Sequence, residues 1–146
     1  MDLQHLFKLK DNPKMKISKI ETLTGFAGNT RQRDITYVRI NTDRGITGIS
    51  EVFGVGPDHA TAVWVNYYAE QLTGQDPDAV EWIWELLYRG TRYRPGSSGM
   101  AALSAIDLAL WDIKGRSIGL PVYKLLGGNV KDKVPVYLDI RWDNPD

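Results

Sequence analysis

Apolar residues alternate with polar ones through Ile35–Phe53, and from Asp58 onward they recur at i, i+3, i+4 and i+7. That single change of period constrains the fold more than any other feature. A repeat of two buries one face of a strand, whereas a repeat of 3.6 buries one stripe of a helix. A chain whose first three strands come in one run before its helices, rather than alternating with them, builds an antiparallel sheet first and packs helices on it afterwards, which is the α+β class.

The strand region resolves into three segments. Lys16 to Phe26 carries Ile, Thr and Leu with imperfect alternation and reads as a strand. Residues 27–34 are polar and contain glycine, so they form a loop. Ile35–Thr42 and Ile46–Phe53 flank Asp43-Arg44-Gly45, a spacing that predicts a tight hairpin whose last turn residue needs positive φ. A second glycine loop, Gly54-Val-Gly-Pro57, follows. The helical region opens at Asp58, a candidate N-cap, with Val65, Tyr68, Ala69 and Leu72 on one stripe and Gly74 as the stop. Asp76-Pro77 predicts the next start, as N-cap and first helical residue. Val80, Ile83, Trp84 and Leu87 form its stripe, and Gly90 ends it. After a polar, basic loop at 91–99, a third helix is expected from about Met100 to Ser117, with Leu103, Ile106, Leu110 and Ile113 aligned. Val122 to Leu126 adds a short turn, and Val134–Ile140 reads as one more strand.

Composition removes several classes of function. The 146 residues carry 18 Lys+Arg against 18 Asp+Glu, with a pI near 6.7, so binding of nucleic acid through phosphate neutralisation is not expected. There is no cysteine, which excludes disulfides, thiolate metal sites and cysteine nucleophiles. No uncharged run approaches the ~20 residues of a membrane span, and the first residues lack a basic-then-apolar leader; a soluble cytoplasmic protein is expected. The length is well under the roughly 250 residues of a closed eight-stranded α/β barrel.

Chemistry-bearing clusters are sparse. His5, in a charged arm over residues 1–14, and His59, at a helix start, are not expected to meet. Asp107 and Asp112 stand five apart, about 500° around a helix, and so do not share a face; Asp112 is expected to pair with Arg116 and Asp107 to make a buried polar contact. Ser97-Ser98 lies in a glycine-rich stretch without the lysine of a phosphate-binding loop. Trp64, Tyr67, Tyr68, Trp82, Trp84, Tyr88 and Tyr93 crowd two helices, and Trp64 and Trp82 fall off the main stripes, which predicts exposed rings and association with a partner surface. Arg31/Arg33 and Arg92/Arg94 sit beside glycines, either as solvated charge or as guanidinium forks for a carboxylate.

The third helix carries a longer signature. Ser104-Ala-Ile-Asp-Leu-Ala-Leu-Trp-Asp-Ile-Lys-Gly-Arg116, followed by Gly119-Leu-Pro-Val-Tyr-Lys-Leu-Leu-Gly-Gly128, resembles the enolase superfamily, in particular its mandelate racemase/muconate lactonizing group. The hairpin Thr42–Glu51, Thr73-Gly-Gln-Asp-Pro77 and Leu87-Tyr-Arg-Gly90 occur in the matching order, over about residues 16–142. The resemblance implies a capping domain at 15–128, a three-stranded antiparallel meander followed by a three-helix bundle, and at 129–146 the start of a (β/α) barrel, with Val134 to Arg141 as its first strand. It implies a parent enzyme that uses Mg²⁺ to abstract the proton α to a carboxylate, and dehydration of a sugar acid as the outcome. Racemisation or cycloisomerisation is the alternative in the same class; a non-catalytic fragment, or a subunit docking on a separate barrel, is the alternative outside it. The family's bases and three metal-binding carboxylates lie on later barrel strands, so no catalytic residue and no metal ligand is assigned in this sequence. What carries over is the substrate lid, Gly25–Asp34 and Val52–Pro57, with glycines suited to mobile loops that exclude water. Phe26, Asn29, Arg31, Arg33, Val55 and Gly56 are the candidate substrate contacts, together with Arg141 at the C-terminal end of the first barrel strand. The expected partner is a small carboxylate, with no nucleic acid and no membrane. Homo-oligomers, or association through the uncovered last strand and the spare aromatics, are expected as well.

Overall fold

A computed structural model describes residues 14–26, 34–52, 58–92 and 95–137. Three strands, β1 (Ile17–Phe26), β2 (Asp34–Thr42) and β3 (Thr47–Glu51), form an antiparallel sheet in the order β1-β2-β3. Thr36, Val38, Ile40 and Thr42 of β2 and Gly48 and Ser50 of β3 are buried, alternating with residues that are more exposed; one face is covered and the other is open, as alternation in an antiparallel sheet requires. The imperfect pattern of β1 has a local cause. The register with β2 shifts between Ile17 and Lys19, and this bulge lets Ile17 and Ile20, three residues apart, both enter the core. The expected hairpin forms at Asp43-Arg44-Gly45, where Gly45 has φ of 74°. The Thr42 hydroxyl donates to the Ile46 carbonyl at 2.8 Å and accepts from the Ile46 N–H at 3.1 Å.

Helices cover the buried face: α1 (Asp58–Leu72), α2 (Val80–Arg89), α3 (Gly96–Ile118) and the single turn α4 (Val122–Leu125). The stripes read from the sequence are the ones that bury. Val65, Tyr68 and Leu72, then Val80, Ile83 and Leu87, then Leu103, Ile106, Leu110 and Ile113 are all at most 3% exposed. Ala102, Ala105 and Ala109 complete the side of α3 that meets its neighbours, their small size bringing the backbones close.

Three expectations need correction. Asp76 is not the N-cap of α2; its Oδ1 accepts from the Asp78 N–H at 3.0 Å and its carbonyl accepts from the Ala79 N–H at 3.2 Å, an Asx turn that delays the helix until Val80. α3 begins at Gly96, not near Met100, because its glycine-rich first turn is a packing surface. A Cβ on Gly99 would collide with the Pro95 Cβ and crowd Trp64 Cε2 at 3.1 Å, so glycine leaves room for that indole against the helix. Trp64 is accordingly half-buried rather than free, whereas Trp82 is 52% exposed. Apart from these three, residues 134–137, the described part of the segment expected as a first barrel strand, are exposed and lie in no strand. Residues 138–141 of that segment, and 1–13 of the arm, lie outside the described residues.

The tightest contact is between β3 and α3. A Cβ on Gly48 would stand 2.1 Å from the Ala109 carbonyl oxygen and 2.8 Å from Ile113 Cγ1. Ser50 Oγ donates to the Ala105 carbonyl at 2.5 Å, and the Ile49 N–H donates to Asp112 Oδ2 at 3.0 Å. At the α2–α3 seam, Asp107 stands half-buried among Ile83, Trp84, Leu87 and Leu110. Burial, and then the nearby charge of Glu81, pushes its carboxyl above the ordinary 3.8.

Two outcomes follow. Gly48→Ala must separate a strand from a helix backbone, and the denaturation midpoint should drop by an amount equivalent to about 2 kcal/mol or more; an unchanged midpoint would show that β3 and α3 part freely. For Asp107 the folded state favours the neutral acid, so the stability of the wild-type chain declines as pH rises through and above the ordinary carboxylate range. Asp107→Asn should therefore raise Tm at pH 7, with the gain vanishing as the pH is lowered below 3.8. Glu81→Gln should give part of the same gain, and a loss of Tm in both variants at pH 7 would contradict the assignment.

Candidate functional site

The register of the sheet decides where its connections leave. Phe26 pairs with Asp34, so the chain between β1 and β2 departs from that end of the ladder. Glu51 pairs with Tyr37, and the Val52 N–H donates to the Thr36 carbonyl at 2.8 Å. Thr36 in turn faces Thr24, two residues before Phe26. The chain after β3 thus departs from the same end of the sheet, about 7 Å short of the first connection at the usual rise per strand residue. The hairpin closes the opposite end. Both connections expected to contact substrate, 27–33 and 53–57, are anchored side by side by described backbone.

Phe26, as the last residue of β1, has its backbone at this end. Asn29, Arg31, Arg33, Val55, Gly56 and Arg141 lie outside the described residues, as does the side chain of Phe26. What the structure brings together is their scaffold. Thr24 and Thr36 hydroxyls sit 3.2 Å apart across the ladder, and Ser50 and Asp112 fasten β3 to α3 immediately before Val52.

On the open face of the sheet Arg39 faces Glu21, donating from Nε at 2.6 Å and also from Nη2, with Lys19 at 2.5 Å on the same carboxylate. Hydrogen bonds from Lys19 and then Arg39 hold Glu21 below the ordinary 4.5. These cations are engaged with the protein's own acid rather than aimed at a ligand. Composition concealed this pair, which becomes visible only once Glu21 and Arg39 are known to be cross-strand neighbours. Asp112 pairs with Arg116 at 2.9 Å, as its i, i+4 spacing predicts; its bond to β3 carried no sequence signal, because that contact spans 63 residues. The Tyr68 hydroxyl is buried without a hydrogen-bond partner among the described residues, and burial followed by the neighbouring Tyr67 pushes it up to about 12.

Among the described residues no three His, Asp or Glu side chains converge on a point where a metal ion could sit. A divalent cation does not fit the donor set that this part of the chain presents, and no described residue is assigned to hold one. His59 is exposed near the start of α1, and Ser97 and Ser98 lie in the first turn of α3. No helix among the described residues is long and apolar enough to cross a membrane.

The profile of the family described as "Mandelate racemase / muconate lactonizing enzyme, N-terminal domain" matches residues 16–127. The chain is 41% identical over 109 residues to a D-galactonate dehydratase of Variovorax paradoxus, covering 75% of this chain and 28% of that protein. It is 39% identical over 124 residues to a D-galactonate dehydratase family member of a Marinomonas strain, covering 84% and 30%. Among solved structures, an enolase from Pantoea ananatis with bound D-gluconate and Mg superposes with a TM-score of 0.75 at 36% identity, covering 82% of this chain and 28% of that one. An enolase from Agrobacterium radiobacter with bound Na and L-malate gives 0.76 at 38%, covering 84% and 30%. The chain spans less than a third of the length of these relatives. Because the matched stretch takes in all three strands and all four helices of the described residues, the chain belongs to the mandelate racemase/muconate lactonizing enzyme N-terminal-domain family of the enolase superfamily.

Proposed function

We propose that this chain is the substrate cap of a sugar-acid dehydratase. The observation that carries the proposal is the common origin of the two connections: the Phe26–Asp34 pair and Val52 place both exits at one end of a sheet whose other end is closed by the hairpin. Two connections rooted together can close on one ligand, and the relatives named as D-galactonate dehydratases support a polyhydroxy acid as that ligand. The proposed reaction removes the proton α to the carboxylate and expels the β-hydroxyl as water. This chain's part is to exclude solvent and to hold the substrate's polar tail, while the acid–base chemistry belongs to a barrel. The Pantoea structure with D-gluconate and Mg supports magnesium as the cofactor of the barrel-bearing enzyme; its ligands are not among the described residues of this chain.

Within this reading Arg31 and Arg33 are the contacts for the acid's carboxylate or hydroxyls, with Phe26, Asn29, Val55 and Gly56 shaping the space around it, and Arg141 approaches from the barrel side. A guanidinium bonded to substrate in a closed site contributes about 1.5–3 kcal/mol. In a polypeptide carrying the barrel, Arg31→Ala or Arg33→Ala should therefore lower kcat/KM for D-galactonate or D-gluconate on the order of ten- to a hundredfold, at an unchanged Tm. The loss should depend on the substrate's tail, being smaller for acids with fewer hydroxyls. Wild-type kinetics in both variants would leave these arginines as solvated charge and transfer specificity to the 53–57 connection or Arg141.

A further inference from the structure

The covered face of β2 reads Thr36, Val38, Ile40 and Thr42, with aliphatic residues in the middle and a buried threonine at each end. Valine has nearly the shape of threonine, so what distinguishes a hydroxyl at such a position is the bond it makes. Buried without a partner, it costs free energy. The Thr42 hydroxyl closes the hairpin. Its counterpart at the other end, Thr36, is 1% exposed, and the Thr36 hydroxyl stands 3.2 Å from that of Thr24 on β1.

The backbone gives that contact its weight. In an antiparallel strand a residue sends its N–H and its C=O to the same neighbour, so cross-strand pairs alternate between bonded and unbonded. The Thr36 carbonyl accepts from the Val52 N–H at 2.8 Å, which commits the main chain of Thr36 to the β3 side. Thr24 and Thr36 are paired in register but therefore stand at an unbonded position of the β1–β2 ladder. There the two hydroxyls supply a link that the main chain does not. Thr24, Thr36 and Val52 form the last row that crosses all three segments; beyond it only Gly25 with Ile35 and Phe26 with Asp34 remain paired. Thr36 reaches both sides of that row, with its hydroxyl toward β1 and its carbonyl on Val52.

We infer that Thr36 is a positioning residue for the substrate contacts: through its hydroxyl and its carbonyl it cross-links the ends of β1 and β3, so that the connections at 27–33 and 53–57 start from one fixed spacing. The inference rests on the capping role proposed above. The cross-link needs a hydroxyl on each of two strands, so Thr24 and Thr36 act as one pair. Neither touches the reacting atoms in this reading. Their influence on substrate passes through the residues after Phe26 and after Val52, and its loss weakens the hold on the acid's tail rather than slowing the chemical step.

Amide hydrogen exchange on the 146-residue chain tests the cross-link, and kinetics on the chain continued through a barrel test its consequence. In Thr36→Val and in Thr24→Val the amides of Gly25, Ile35 and Val52 should exchange several-fold faster than in the wild type, with those of Ile40 and Gly48 unchanged. The double variant should add nothing to either single one, and Thr36→Ser should restore the wild-type rates. With D-galactonate, Thr36→Val should raise KM about three- to tenfold at nearly constant kcat, the range of one hydrogen bond. Most of that effect should disappear in an Arg31→Ala/Arg33→Ala background. Thr24→Val, a change at an exposed position, carries the same test if Thr36→Val lowers Tm. Unchanged exchange at all three amides in both variants would overturn the inference. So would a rise in KM that persists in full without the two arginines, which would mark Thr36 as a core residue and nothing more. Faster exchange at these amides, with no turnover of any sugar acid by the longer wild-type polypeptide, would support the cross-link and sink the dehydratase reading alone; turnover with a KM indifferent to Thr36 would do the reverse.

Discussion

The approach of β3 to α3 at Gly48 is the contact on which the other packing depends. A sheet and a helix ordinarily stand about 10 Å apart, separated by side chains from both. Here the absent side chain of Gly48 and the methyl group of Ala109 let backbone meet backbone, so that Ser50 reaches the Ala105 carbonyl and Asp112 reaches a strand amide. Once β3 is held there, the register carries the constraint outward: β2 is fixed by β3, and β1 by β2. The turn after α1 then closes the circuit, since the Gly74 N–H donates to the Ile17 carbonyl at 2.8 Å and the Ile17 N–H to that of Gln75 at 2.9 Å. One glycine therefore sets the height at which the whole sheet rides on the helices.

The Asp112 contact does a second job. β3 is an edge strand, and an edge presents unpaired N–H groups that invite another strand. A carboxylate occupying the Ile49 N–H, itself bonded to Arg116, blocks one of those positions with charge. The other edge belongs to β1, whose first residues are covered by the turn after α1. Each edge is thus partly occupied by groups from the helical half of the chain, β3 at Ile49 and β1 at Ile17.

How much was legible in the sequence follows from the range of each interaction. The hairpin, the three core stripes and the Asp112–Arg116 pair are set by residues within a turn of one another, and the sequence shows them. The bulge between Ile17 and Lys19 appeared only as spoiled alternation, because a bulge is defined by the partner strand. The early start of α3 was hidden because Gly96 and Gly99 are poor helix formers; Gly96 is used for its φ of 65°, and Gly99 for the room it leaves beside Pro95 and beside Trp64 of another helix. Asp76-Pro77 carried a start signal that the Asx turn consumed. The candidate contacts came from resemblance rather than from pattern, and the structure speaks to them through the strand ends that anchor them: Phe26, Asp34 and Val52.

Under the proposed capping role, that anchoring keeps the two connections apart from the core. The end of the sheet that feeds the two connections is the end where β3 is pinned by Ser50, one residue before the ladder runs out at Glu51. A loop rooted in a strand that cannot shift confines its variation to its own residues, so its composition can change without disturbing the core. The closed end of the sheet needs no such freedom, and there the chain uses its own backbone and the Thr42 hydroxyl to seal the hairpin. If the capping role proposed above holds, 27–33 and 53–57 are where a change of substrate would be written, while Gly48, Ser50 and Asp112 keep the sheet where α3 holds it.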